Sequence, residues 1–382
     1  MLIEIAVFVA GATLYLQAPG IIRAAGQRSQ QRGNHRQAYH HFLRAGSLLP
    51  PIKLFAEFRS AVTTQAALAA YNAGMGDEAT RLAKKAIETS PDTKRRMVAH
   101  SALALGYGAT GNLKEQRTHW EQALTLAEAL GDKTSIAQYG VGIAGSQYKQ
   151  GELIEAIAAS ERAEDADPSS ASLALSVKAE CLRKMGRYSE AIVVLQKAQV
   201  TVPLPIEFWE NRKQSTLLLA MAANYIEEGN AQAGMKAVTA ARTGFGDDAR
   251  LQLLCDAAEA NSLGLSGETD KASVLIHKVL GGLEVLTDDL AMHETCLDFV
   301  GKAALNAGNP AQALQLFGRL LNIAASPVDL PDVYFWIGEC HIRLGNEDEA
   351  RKALVKATQF DFESVYTRRA AMRLTELDSE QK

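Results

Sequence analysis

Small apolar residues recur along most of the chain at fixed distances from a glycine, in full in four repeats and more weakly in five others. After Gly33, alanine stands five and twelve positions later, at Ala38 and Ala45, and proline follows at Pro50. The nine glycines are Gly33, Gly74, Gly111, Gly151, Gly186, Gly229, Gly267, Gly308 and Gly345. Successive glycines lie 35 to 43 residues apart, so the pattern indicates a tandem array of one short structural unit.

Two columns of the array hold small residues in nearly every repeat. The position seven before each glycine is glycine or alanine in all nine repeats, and the position five after it is small in eight, the exception being Gln116. Helices approach to about 8 Å only where the contacting residues lack bulk. Because glycine readily ends a helix and proline cannot continue one, each repeat is predicted to be a helical hairpin that stacks on its neighbours.

These columns resemble the tetratricopeptide repeat over about residues 19–362. The resemblance implies an all-α fold, a right-handed superhelix (an α-solenoid) of about nine helical hairpins, whose concave groove binds a protein or peptide ligand. Between residues 363 and 382, apolar residues interleave with arginine and glutamate, which predicts a C-terminal capping helix and a tail. A hydrophobic helix is expected to precede the repeats.

The amino-terminal segment is apolar. Residues 2–22 contain a single charge, Glu4, over a length that could cross a bilayer. A cleaved signal peptide would carry lysine or arginine before its apolar stretch, and none stands there. The uninterrupted apolar run covers only residues 5–16, which leaves a buried first helix of the solenoid as an alternative. The favoured prediction is a membrane anchor at residues 1–18.

Four arginines follow this segment, Arg23, Arg28, Arg32 and Arg36. Because positive charge beside a membrane helix stays in the cytoplasm, we expect a single-pass protein of a bacterial inner membrane with its repeats facing the cytoplasm. An anchor, a basic flank and a long repeat array resemble the layout of the lipopolysaccharide assembly protein B family. That family ends in a metal knuckle built from two C-x-x-C pairs, and no such pair occurs in this sequence.

The resemblance also locates a groove, because tetratricopeptide repeats line their concave surface with the second, fifth, ninth and twelfth positions of each first helix. In repeats two to four these positions are uncharged, and the predicted partner-binding groove comprises Leu68, Tyr71, Val98, Leu105, Gln138, Val141 and Tyr148. Such a surface could admit an extended peptide or a partner helix, with the tyrosines as rigid anchors. Alternatively, neighbouring helices or the anchor fill it. The same positions are more polar in repeats five, eight and nine, where they include Glu180, Arg183, Asp298, Lys302, Asp332 and Glu339.

Composition argues against other classes of function. The net charge is −4, and no basic stripe follows residue 40, so nucleic acid is not an expected partner. The four cysteines are far apart and are predicted to be buried in a reducing compartment. No P-loop, H-E-x-x-H, G-x-S-x-G or dinucleotide fingerprint is present. The sequence therefore predicts neither an enzyme nor a cofactor or metal site.

Three hypotheses of function remain. The leading one is a membrane-anchored scaffold that recruits or assembles proteins on the cytoplasmic face of a bacterial inner membrane. The second is a periplasmic repeat protein that acts as an assembly factor or co-chaperone. The third is a soluble regulator whose groove senses a peptide. The sequence does not identify the partner, the pathway or the oligomeric state.

Overall fold

The computed structural model describes residues 18–48, 53–200, 207–286, 289–324 and 326–380. Regular structure in these ranges is entirely helical, which confirms the predicted all-α fold. The first helix, α1, includes residues 18–31. The later helices are α2 (His35–Ser47), α3 (Ala56–Asn72), α4 (Gly76–Thr89), α5 (Thr93–Ala109), α6 (Leu113–Leu130), α7 (Lys133–Gln150), α8 (Leu153–Ala166), α9 (Ser172–Lys184), α10 (Tyr188–Val200), α11 (Glu207–Glu227), α12 (Ala231–Phe245), α13 (Ala249–Leu265), α14 (Thr269–Val285), α15 (Leu290–Asn306), α16 (Pro310–Ile323), α17 (Leu330–Arg343), α18 (Glu347–Thr358) and α19 (Val365–Glu380).

Consecutive helices form the predicted hairpins, from repeat 1 (α1 and α2) to repeat 9 (α17 and α18), and α19 follows. Each of the nine repeat glycines lies in the turn inside one hairpin, with φ between +74° and +87°. Only glycine adopts this conformation cheaply. In repeats 1, 3, 6 and 8 the next residue is an asparagine whose side chain accepts a hydrogen bond from the backbone N–H three residues later and caps the second helix. Local sequence thus sets both ends of the turn.

The chain divides into two compact units, residues 1–146 and residues 147–382, with the division inside α7. In unit 1, alanines and leucines of α3, α4 and α5 pack around Phe42 of α2. Unit 2 has its largest core between α11 and α17, and a further core joins α17 and α18 to α19. The handedness of the predicted superhelix stays a prediction.

Glycine in the column seven before the turn lets a large side chain of the second helix approach the first. A Cβ atom on Gly26 would lie 2.7 Å from the ring of Phe42, and one on Gly301 would lie 2.8 Å from the ring of Phe317. The exceptional residue of the other column is accommodated in a related way. Gln116 lies against Gly108, whose missing side chain leaves room for the amide. Close helix crossings therefore explain both columns.

We expect the substitution Gly301→Ala to lower the free energy of unfolding by about 1–3 kcal/mol, because the new methyl group would meet the fully buried ring of Phe317. The control is Gly318→Ala, in the interior of α16, where nothing lies within 4 Å of the new Cβ. That change should stabilise the protein by about 0.5–1 kcal/mol through helix propensity. Urea denaturation of both variants measures the difference, and equal effects would contradict close packing at Gly301.

The predicted location in the inner membrane is wrong. Within the described residues, no helix has the length and apolar character needed to cross a bilayer. Residues 1–17 of the predicted anchor lie outside the described ranges. The described end of the apolar stretch, residues 18–22, is the first part of α1, which packs against protein. Arg23, taken as part of a membrane flank, donates a hydrogen bond to Gln65 at 2.9 Å.

The other three arginines of this predicted flank, Arg28, Arg32 and Arg36, are exposed. Arg23 also lies over the ring of Phe58, 5.6 Å from its centroid. Gly26 of the same helix contacts Phe42. Residues 18–31 therefore form a helix with an exposed polar side and a side that faces the rest of the protein.

Candidate functional site

Unit 2 contains a cavity of about 390 Å³. Its walls come mainly from the first helices of repeats 4, 5, 6, 8 and 9, with Leu320 of α16 and Asp329 just before α17, and Leu219, Phe299 and Val333 make part of them apolar. The tyrosine and the charged residues that line it are Tyr148, Glu180, Arg183, Lys184, Glu227, Glu294, Asp298, Asp329 and Asp332. The cavity is thus an apolar space edged by charges that the helices hold in place.

One ion-pair network joins repeat 5 to repeat 9. The Nζ atom of Lys184 lies 2.6 Å from Oδ1 of Asp329 and 2.7 Å from Oδ2 of Asp332, and the Lys184 side chain is only 2% exposed. Burial alone would lower the pKa of Lys184, but the two carboxylates outweigh it and hold this pKa well above its usual value. The lysine therefore stays charged. Its hydrogen bond to Asp332 joins two residues that are 148 positions apart in the chain.

A second network lies beside the first. Lys302 Nζ contacts Oε1 of Glu227 at 2.6 Å and Oδ2 of Asp298 at 2.9 Å. Tyr366 of α19 donates its hydroxyl hydrogen to the other oxygen of Glu227 at 2.5 Å. Burial alone would raise the pKa of Glu227, but Lys302 and Arg183 outweigh it and bring this pKa to about 2. Glu227 is therefore ionised and fully engaged.

Two carboxylates of the cavity are incompletely satisfied. Oδ1 of Asp332 and Oε1 of Glu294 are buried without a hydrogen-bond partner among the described residues. Burial, with the negative charge of Asp329 adding to it, raises the pKa of Glu294 to about 7. Burial also raises the pKa of Asp332 to about 6, even though Lys184 favours its ionised form. Neither of these two carboxylates is fully paired with a positively charged group within the described ranges.

The predicted groove residues fall into different parts of the molecule. Tyr148 lines the cavity of unit 2. The other six belong to unit 1, where Leu68 packs against the core of α2 to α5 and Gln138 is exposed. These six are Leu68, Tyr71, Val98, Leu105, Gln138 and Val141. Their role in binding stays a prediction.

The polar groove positions of the later repeats mostly meet in the cavity. Glu180, Arg183, Asp298 and Asp332 line it. Lys302 holds Glu227 and Asp298, whereas Glu339 pairs with Arg373 of α19 at 2.8 Å instead. These side chains share one helix face in their repeats, so the position rule placed most of them correctly.

Sequence reasoning missed several cavity residues. Counted from the residue fourteen before each repeat glycine, Lys184 and Glu227 both occupy the thirteenth position of the repeat pattern, four after the ninth, and Glu294 occupies the first position. Residues four apart share one helix face, so the inner stripe is wider than the four columns used for the prediction. A charged residue at the thirteenth position was the signal available.

Cysteine thiols and clusters of metal-ligating side chains are the other groups that could carry chemistry. All four cysteines are buried and free. Burial raises the pKa of the Cys181, Cys296 and Cys340 thiols to about 12 and that of Cys255 to about 11, which disfavours reactive thiolates. In the part of the chain that the structure describes, no three His, Cys, Asp or Glu side chains are grouped to hold a metal ion.

Comparison with known proteins identifies the repeat and the fold. Residues 331–364, which contain α17 and α18, match the family model described as tetratricopeptide repeat. The chain is similar in fold to a Rap protein complexed with Competence and Sporulation Factor, with a TM-score of 0.64, 11% identity, and coverage of 94% of this chain and 99% of that one. No curated protein matches the chain in sequence.

Two further structures are similar. One is the Rap conjugation gene regulator of the plasmid pLS20 in complex with the Phr* peptide, with a TM-score of 0.58, 13% identity, and coverage of 94% of this chain and 97% of that one. The other is the apo form of RapI, with a TM-score of 0.62, 11% identity, and coverage of 89% and 97% respectively. At these identities the likeness concerns the fold alone. The chain therefore contains a tetratricopeptide repeat at residues 331–364, and its nine repeat turns in register share the fold of these repeat arrays.

Proposed function

We propose that this protein is a peptide-sensing regulator that binds a short peptide in the cavity of unit 2. The observation that carries the proposal is the cavity itself, in which five repeats together contribute apolar side chains and eight charged ones. Its volume of about 390 Å³ falls within the range of roughly 300–1,000 Å³ typical of ligand sites, which combine apolar walls with placed polar groups.

A link between ligand and protein state is available at the cavity edge. Asp332 both lines the cavity and holds Lys184, and so contributes to the contact between repeats 5 and 9. A ligand that touches Asp332 therefore binds with different affinity when this contact is made and when it is broken. Such differential affinity is what shifts a conformational equilibrium. The fold is shared with a Rap gene regulator whose structure holds the Phr* peptide, which supports the same use of the fold here.

We also keep the scaffold hypothesis in a reduced form. We propose that the inner positions of α3, α5 and α7 in unit 1, including Tyr71, contact a protein partner that responds to the peptide. Aromatic side chains are common energetic centres of such contacts. The peptide-sensing hypothesis and the scaffold hypothesis then describe two surfaces of one molecule.

The test compares two tyrosines at the same repeat position. Peptides are selected from a random heptapeptide phage library on the full chain, resynthesised, and titrated by fluorescence anisotropy. We expect Tyr148→Ala to weaken binding at least tenfold, or about 1.4 kcal/mol, because Tyr148 lines the cavity. Tyr71→Ala, the matched control in unit 1, should leave peptide affinity unchanged.

Thermal unfolding of both variants checks that each one folds. If no peptide is enriched, the proposed function is wrong. If Tyr71→Ala weakens peptide binding and Tyr148→Ala does not, the peptide site belongs to the groove of unit 1 instead of the cavity.

A further inference from the structure

We propose that the ligand of the unit 2 cavity presents a positively charged group, a lysine or arginine side chain or a free amino terminus, to Asp332 Oδ1 and Glu294 Oε1. This inference rests on the proposed function and adds the chemical class of the group recognised. It rests on the arrangement of charges around the cavity and on two buried acceptor atoms that have no hydrogen-bond partner among the described residues.

Negative charge is in excess at the cavity. Six carboxylates line it, whereas only two of the lining residues are cations, Arg183 and Lys184. Lys302 contacts Glu227 and Asp298 from outside the lining, and Lys149 is close enough to act on Glu294. Arg183 is matched by Glu180, and the two lysines are each shared between two carboxylates. Within the described ranges, no ion pair reaches the sixth carboxylate, Glu294. An anionic ligand would add to this excess, whereas a cation would reduce it.

The second acceptor atom without a hydrogen-bond partner belongs to Asp332. Its side chain is 8% exposed, and Lys184 occupies only its Oδ2 atom. Oδ1 is buried in the same cavity wall without a hydrogen-bond partner among the described residues, as is Oε1 of Glu294. A buried acceptor without a partner is unfavourable, so a donor delivered by a ligand would recover part of this energy.

The chemistry favours an organic cation. The described residues hold no group of three ligating side chains arranged for a metal ion. Ammonium and guanidinium groups donate several hydrogen bonds each and form charge-assisted bonds with carboxylates. The apolar residues of the same cavity, among them Leu219, Phe299 and Leu320, suit the hydrocarbon stem that carries such a group. A peptide side chain and a free polyamine would satisfy this chemistry equally, and the experiment below separates them.

The first experiment uses the peptides selected above, with each lysine or arginine replaced in turn by norleucine or citrulline, and with the amino terminus acetylated in a further peptide, so that each positive charge is removed separately. At one position we expect the replacement to weaken binding to the wild-type protein at least tenfold. For the double variant Asp332→Asn, Glu294→Gln, the same replacement should cost less than twofold, because the partner charges are gone. The control Glu339→Gln lies on α17 with Asp332 but pairs with Arg373 outside the cavity, and should behave like the wild type.

The pH dependence of affinity provides a second readout. Because protons compete with the cation at Glu294, with a pKa of about 7, and at Asp332, with a pKa of about 6, affinity should fall as pH is lowered from 8 to 5.5. The charged groups near these two carboxylates are Lys149, Arg183, Lys184, Lys302, Arg369, Asp298 and Asp329, and the titratable hydroxyl of Tyr366 is also close to Asp332. The double variant should show a nearly flat profile over the same interval.

The outcomes separate the two proposals. Selected peptides that bind in the cavity, yet tolerate loss of every positive charge, would overturn the cationic subsite and leave the peptide function standing. If no peptide is selected, spermidine and arginine amide are tested directly by thermal shift. A shift in the wild type that the double variant loses supports the subsite with a free cation as ligand, and the absence of any shift overturns the subsite as well.

Discussion

Replacing Lys184 with methionine is expected to lower the free energy of unfolding of unit 2 by about 3–5 kcal/mol. The side chain is 2% exposed and is the shared partner of Asp329 and Asp332. Methionine preserves most of the volume, so the loss comes from leaving buried carboxylate charge without its cation. The measurement is urea denaturation followed by circular dichroism. Because the chain has two compact units, the transitions should be fitted separately if they do not coincide.

The matched control is Lys352→Met. Lys352 pairs with Glu349 at 2.6 Å, nearly the same distance, but the two side chains are 67% and 54% exposed. Exposed pairs contribute about 0–1 kcal/mol, so this variant should unfold almost like the wild type. Adding Asp332→Leu to Lys184→Met should recover part of the lost stability, because an uncompensated charge is removed. A loss of less than about 1 kcal/mol for Lys184→Met alone would show that the bridge is not a structural element.

The second large effect is expected for Gly151→Ala, which should cost about 2–5 kcal/mol in the same assay. Gly151 has a φ of +84°, and replacing glycine by another residue in this conformation costs about 1–2 kcal/mol. Its Cβ would also overlap the ring of Phe362, which follows α18 and rests on this turn of repeat 4. Forcing that ring away adds about 1–3 kcal/mol of overpacking.

Gly229→Ala isolates the packing contribution. Gly229 has a φ of +87°, but nothing lies within 4 Å of the Cβ that the substitution would add. It should therefore lose only the conformational part, about 1–2 kcal/mol. The difference between the two variants measures how strongly the segment after α18 is held against repeat 4. Identical losses would mean that the contact with Phe362 contributes nothing to stability.

The hairpins could be predicted from sequence because their determinants are local. The nine glycines were placed at helix ends by spacing alone, and each one has a positive φ. The small residue seven before each glycine is explained by contacts such as that of Gly26 with Phe42. Both observations concern residues within one repeat, where chain connectivity already brings the helices together. Periodicity carries this information directly.

The candidate site was only partly predictable. The position rule indicated Tyr148 and most of the polar residues of the later repeats, since helix geometry fixes which positions face inward. It did not indicate that Lys184 would meet Asp332, because a periodic pattern describes neighbouring repeats and carries no information on contacts 148 residues apart. The membrane prediction, which no described helix supports, rested on apolar composition, and composition alone does not distinguish a bilayer from protein as the surrounding medium.

The bridge between Lys184 and Asp332 also limits how this array can change its length. In an open repeat array each hairpin contacts only its neighbours, so whole hairpins can be gained or lost with little consequence elsewhere. Here, inserting one hairpin between repeats 5 and 9 would displace Asp332 by the width of a repeat. Lys184 would then be buried without this partner. The pairing of Lys184 with Asp332 therefore constrains the number of hairpins in this part of the chain. Evolution can change the side chains that line the cavity more freely than it can change the number of hairpins that form its walls.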